Sequence, residues 1–98
     1  MAKITWTNEA ERWLKDIYDY IALDNPVAAS GVIEGIFNQA QVLKDHPDIG
    51  YRYEHQSGED IRILLYGHYR ITYLKHADDD IDILGVFHGA LEIENYLL

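Results

Sequence analysis

The sequence contains no cysteine, only two prolines, and eight lysines and arginines against seventeen aspartates and glutamates. Without cysteine there is no disulfide framework, no thiolate metal site and no thiol nucleophile. The formal charge of −9 argues against gripping DNA or RNA over a broad surface, which takes many cationic phosphate contacts. The acid is spread evenly: residues 1–49 carry four basic and eight acidic side chains, residues 50–98 four and nine. No acidic tail and no charge-defined boundary follows. No run approaches the roughly 20 apolar residues that span a bilayer. The start, Met1-Ala2-Lys3-Ile4-Thr5-Trp6, lacks the apolar core of a signal peptide, so a cytoplasmic location is expected.

What is present is enough to fold. Of 98 residues, 48% are hydrophobic, and eight tyrosines and two tryptophans supply apolar area, which excludes a disordered chain. The length fits one domain over residues 1–98. Ile4, Thr5 and Trp6 are β-prone. Thr7 follows as an N-cap, with Glu9 and Glu11 in the first turn, where carboxylates suit the helix dipole. Ala10, Trp13, Leu14, Ile17, Tyr18 and Ile21 recur at spacings of three and four, predicting a helix over 8–23. Asn25 caps a second helix with Pro26 as its first residue, and its stripe runs from Ala29 through Leu43 to about residue 45. Pro47 and Gly50 stop it. The short joint reads as an antiparallel helical hairpin.

The period then changes to two. Ile61, Ile63 and Leu65 alternate with Arg62, Leu64 and Tyr66, and a turn at Gly67-His68 leads into Tyr69, Ile71 and Tyr73, with Arg70 on the opposite face. Asp78-Asp79-Asp80 is a second turn. Ile81, Ile83, Gly85 and Phe87 alternate with Asp82, Leu84, Val86 and His88. This predicts a three-stranded meander, with Tyr51–His55 as a short extra strand and Ala90–Leu98 as a short helix or added strand. The fold class is α+β in the order β-α-α-β-β-β: a mainly antiparallel sheet, the helical hairpin on one face, and a short C-terminal segment.

The acids of Asp78-Asp79-Asp80-Ile81-Asp82 mimic a calcium loop. Ile83 stands where such a loop requires glycine, and Gly89 where it requires the bidentate glutamate. His46 and His76 have no histidine four residues away, so no zinc site is expected. Neither a metal nor a cofactor is implied.

Trp6-Thr7, Ile17-Tyr18-Asp19-Tyr20-Ile21, Asp24-Asn25-Pro26, His46-Pro47, Ile49-Gly50, Tyr69-Arg70-Ile71 and Val86-Phe87-His88-Gly89-Ala90, in this order, resemble the RelE/ParE toxin superfamily. The likeness runs from Ile4 to about Tyr96. The long hairpin and the histidine-glycine-alanine ending are more similar to the ParE, or plasmid-stabilisation, branch. The resemblance implies the toxin half of a type II toxin–antitoxin pair. RelE-like members cleave mRNA on the ribosome. ParE-like members poison DNA gyrase. Both are neutralised by an antitoxin, and fold alone does not choose between the targets.

Metal-independent RNA cleavage takes a base for the 2′-hydroxyl, cations for the phosphorane-like transition state and an acid for the leaving oxygen. If the chain is a nuclease, the residues to carry this are Arg62, Arg70, His88 and Glu54. By resemblance, Arg70 matches an arginine that contacts the scissile phosphate, and Arg62 matches one on the preceding strand. His88 falls near a catalytic histidine, and Glu54 aligns through Gly50 with a glutamate. Each also has a plain structural reading: carboxylate pairing for the arginines, strand closure for His88, a solvated loop acid for Glu54. The sequence departs from the nuclease pattern at its end. Gly89-Ala90-Leu91-Glu92-Ile93-Glu94-Asn95-Tyr96 carries two acids, no base and one tyrosine. A charge of −9 also opposes steering to a ribosome. The leading expectation is a gyrase poison. The alternatives are a ribosome-dependent mRNA endoribonuclease and a non-toxic relic that only binds antitoxin. The antitoxin is expected to lay an apolar helix on the hairpin or a strand on a sheet edge. An acidic toxin implies a more apolar interface or a few local arginine contacts, with a homodimer or toxin–antitoxin hetero-oligomer as the assembly.

Overall fold

The computed structural model describes residues 2–54 and 58–88. Strand β1 (Ile4–Trp6) leads into helix α1 (Asn8–Ala22) and helix α2 (Pro26–Gln41), which ends in a single 3₁₀ turn at Val42–Lys44. Strands β2 (Tyr51–Arg52), β3 (Ile61–Tyr66), β4 (Tyr69–Lys75) and β5 (Ile81–Phe87) follow. The sheet order is β1-β5-β4-β3-β2. The element expected over Ala90–Leu98 lies outside the described residues, as does His55 in the expected Tyr51–His55 strand.

Both helix starts form as their capping residues dictate. The Thr7 hydroxyl accepts from the Ala10 N–H at 3.1 Å, and the Asn25 side chain accepts from the Ala28 N–H at 3.1 Å. The Thr7 hydroxyl also donates to the Ile83 carbonyl at 2.7 Å, which ties the start of α1 to β5. The second helix closes earlier than the apolar stripe suggests, because its last turn tightens into the 3₁₀ segment that carries buried Leu43.

β3, β4 and β5 form the antiparallel meander, with Tyr66 paired to Tyr69 across the two-residue turn. β1 lies parallel to β5, pairing Ile4 with Ile81 and Trp6 with Ile83. Between β4 and β5 the register slips: Thr72 faces Gly85 and Tyr73 faces Ile83, leaving Leu84 as an extra residue. This bulge resets the alternation. Ile81, Ile83 and Val86 join one core, although strict alternation would put Val86 with Asp82 on the other face.

That main core packs Ala10, Ile36, Ala40 and Leu43 of the helical layer against Leu64, Ile71, Tyr73, Ile83 and Val86. A second, smaller cluster joins Ile63 and Phe87 with Trp13 and Tyr53. Ile63 is paired with Thr72, and Phe87 with Arg70, so this cluster belongs to the opposite sheet face. α1 runs beside β5, and Trp13 meets the Phe87 ring edge-on at 4.7 Å. Gly85 makes this approach available: a Cβ there would sit 2.6 Å from the Phe87 ring and 3.3 Å from Trp13.

Candidate functional site

The sheet has two ends of different character. At the first, the segment after α2 folds back over the start of β3. Tyr73, fully buried, accepts from the Gly50 N–H at 2.9 Å and donates to the Pro47 carbonyl at 2.9 Å. Burial pushes the Tyr73 hydroxyl above its ordinary pKa, against the opposing pull of the Gly50 N–H. Gly50 is needed for this approach, since a Cβ would lie 2.6 Å from the Tyr73 oxygen and 2.9 Å from the Ile63 carbonyl.

Arg62 belongs to this end. Its Nε donates to Asp60 Oδ1 at 3.0 Å, and one terminal nitrogen donates to the Asp48 and Gly50 carbonyls at 2.9 and 3.1 Å. The side chain is 17% exposed. Lys75 adds ion pairs to Asp48 at 3.4 Å and Asp79 at 3.1 Å. Arg62 therefore fastens a loop to the sheet, with its cation shared between a carboxylate and main-chain oxygens.

Arg70 points the other way. It is paired with Leu65 and Phe87, whereas Arg62 is paired with Tyr73, which places the two arginines on opposite faces. One Arg70 nitrogen lies 3.4 Å from the Tyr51 hydroxyl. Glu54 is exposed beyond β2 at the sheet edge.

His88 lies at the other end, just past β5. Its ring is 5.5 Å from Tyr69 and 6.0 Å from His68, both edge-on. Tyr73 and Tyr69, the β4 residues nearest Arg62 and His88, are four positions apart, roughly 13 Å along the strand. Of the four sequence candidates, the fold sets Arg62 and Arg70 on opposite faces of the sheet, with Arg70 across from Phe87, the residue before His88.

At the His88 end a concavity of about 350 Å³ opens between α1 and the sheet. Trp13, Asp16, Ile17 and Tyr20 supply one wall, and Tyr69, Val86 and His88 the other. The α1 residues sit at intervals of three and four, so they form a single helix face. Sequence reasoning placed Trp13 and Ile17 on the apolar stripe and missed Asp16 and Tyr20, which flank it. The available signal was an aromatic residue beside the stripe rather than in it: Tyr20 is 77% exposed. Among the described residues no group of three or more histidines and acids is placed to hold a metal ion, and no helix is long and apolar enough to cross a membrane.

Comparison with known proteins bears on this geometry. No curated protein is significantly similar in sequence. The fold is similar to that in the chromosomal ParDE toxin–antitoxin system of P. aeruginosa. There the TM-score is 0.75 at 22% identity, covering 92% of this chain and 98% of that one. It is also similar to a chain of the RelBE2 toxin–antitoxin complex of Mycobacterium tuberculosis. That match has a TM-score of 0.62 at 21% identity, covering 90% and 98%. At these identities the likeness concerns the fold. The family described as ParE toxin of the type II toxin–antitoxin system, parDE, matches residues 4–92, a span that takes in every described strand and helix, and the chain belongs to it.

Proposed function

We propose that this chain arrests growth by acting on DNA gyrase, as the toxin of a stabilisation pair, and is neutralised in the cytoplasm by a cognate antitoxin. The observation that carries the choice of target is the dispersal of the charged candidates. Arg62 is engaged by Asp60, Asp48 and Gly50; Arg70, across from Phe87, is on the opposite face; and His88, although next to Phe87, lines the α1 side of the sheet with Tyr69 and Val86. A nuclease needs these groups around one phosphate. A protein that occupies a conformation of its target does not. The charge of −9 supports the same reading, since it opposes approach to ribosomal RNA.

The test is pulse labelling in the first minutes after induction in a bacterial host. Thymidine incorporation is expected to fall while methionine incorporation continues. Early loss of methionine incorporation, with message cleaved on ribosomes, would replace this reading with the nuclease one. If neither falls while antitoxin still binds, the chain is a non-toxic binding relic. A folded R70A/H88A double variant that keeps full toxicity would remove any catalytic role for these two residues.

A further inference from the structure

We propose that the concavity between α1 and the end of β5 is a receptor for one arginine side chain presented by the protein that neutralises this one. The inference rests on the antitoxin reading above and specifies the chemistry of the contact. Its volume of about 350 Å³ is at the small end of the range for ligand pockets, roughly 300–1,000 Å³, and suits a side chain rather than a folded segment. Its lining is mainly aromatic: Trp13, Tyr20, Tyr69 and the His88 imidazole. Among the described lining residues the one permanent charge is the Asp16 carboxylate, and none is lysine or arginine.

Two neighbouring acids of α1 are already occupied. Glu9 pairs with Arg12 at 3.4 Å and Asp19 with Lys15 at 2.7 Å, while Asp16 has no ion pair among the described residues. Aromatic faces carry negative potential and attract cations, and a carboxylate at their rim fixes the charge. Guanidinium fits better than ammonium. It is planar, stacks on rings, sheds water more readily and meets a carboxylate through two N–H groups. The charge of −9 favours a basic contact over an acidic one. Tyr20, mostly exposed in the isolated chain, supplies apolar area that an entering side chain would cover.

The experiment uses the full chain at about pH 8. N-acetyl-arginine methylamide is titrated while the Trp13 indole N–H signal is followed by NMR. The lysine and citrulline counterparts and inorganic phosphate are titrated in parallel. Arginine is expected to shift the Trp13 signal most, lysine less, and citrulline and phosphate not at all. Asp16→Asn is expected to weaken arginine binding about tenfold. Tyr20→Ala supplies a second variant at an exposed position, and each variant is checked for native circular dichroism. In the complex with its antitoxin, the arginine probe is expected to lose its effect on Trp13. Equal shifts with citrulline, no arginine response, or unchanged affinity in both folded variants would overturn the pocket's chemistry. An undiminished response in the complex would overturn the assignment to that partner. These readouts need no toxicity, so failure of the arginine pocket leaves the gyrase reading standing, and failure of growth arrest leaves the pocket standing.

Discussion

The two ends of the sheet are built from similar residues and use them differently. Around Tyr73, the side chains that reach the loop after α2 are held by its main chain. The Tyr73 hydroxyl bridges the Gly50 N–H and the Pro47 carbonyl, and Arg62 serves the Asp48 and Gly50 carbonyls of the same loop. Around Tyr69 and His88, rings meet rings, and the Asp16 carboxylate and Tyr20 ring face a cavity. An arginine in a toxin-like sheet is thus not a functional residue by type. What separates a structural cation from a functional one is whether folded main chain already holds it.

This contrast can be broken by measurement. The largest effect is expected for Tyr73→Ala, which removes a fully buried ring and both of its loop contacts. A loss of about 3–5 kcal/mol in urea unfolding is expected, enough to leave little folded protein at growth temperature. Arg62→Ala leaves the Asp48 and Gly50 carbonyls unserved and should cost about 1–3 kcal/mol. Arg62→Lys should recover only part of this, since one ammonium cannot reproduce the fork. Tyr20→Ala, at the open end, should change stability by less than about 0.5 kcal/mol. A cost for Tyr20→Ala equal to that for Arg62→Ala would erase the distinction between the ends.

The smallest effect concerns His76, whose Nε2 lies 2.8 Å from Asp82 Oδ2 at the β4–β5 turn. The hydrogen bond to Asp82 raises the His76 pKa above 6.5, with Asp78 and Asp80 adding to it. A histidine raised on folding stabilises fully below its unfolded pKa and loses that contribution as pH rises through the folded value. The stability difference between the natural chain and His76→Gln should therefore be largest below about pH 6 and shrink towards pH 8. Paired denaturation curves across that range test it, and a difference that grows with pH would reverse the sign.

Much of this architecture is legible in residues. Thr7, Asn25 and Pro26 announce both helix starts, and the change of period at Ile61 announces the meander. The opposition of Arg62 and Arg70 was also within reach. A two-residue turn at Gly67-His68 pairs odd positions with even ones, so two even-numbered residues on neighbouring strands must face apart. Two things were not legible. The parallel pairing of β1 with β5 joins positions far apart in sequence, and three residues carry no signal for a distant partner. The bulge at Leu84 moves Val86 to the core face, and only Gly85 beside it hints that the strand is irregular. The concavity at His88 escaped for a third reason. It joins one face of a helix to the end of a strand, and Asp16 and Tyr20 look solvent-facing until α1 is set beside β5.

The parallel pairing has a consequence in time. β1 is among the first residues made, yet its one strand partner among the described residues is Ile81–Ile83, and the Ile81 N–H waits for the Lys3 carbonyl while the Ile83 carbonyl waits for Thr7. A ribosome must therefore release nearly the whole described chain before the first strand and the cap of α1 find their places. Contacts this distant are slow to close. During that interval the wall between α1 and β5 is unfinished, and the concavity it bounds does not yet exist. On the proposed reading, the concavity offered to a neutralising partner is therefore completed only when synthesis is nearly over, so neutralisation follows folding rather than preceding it.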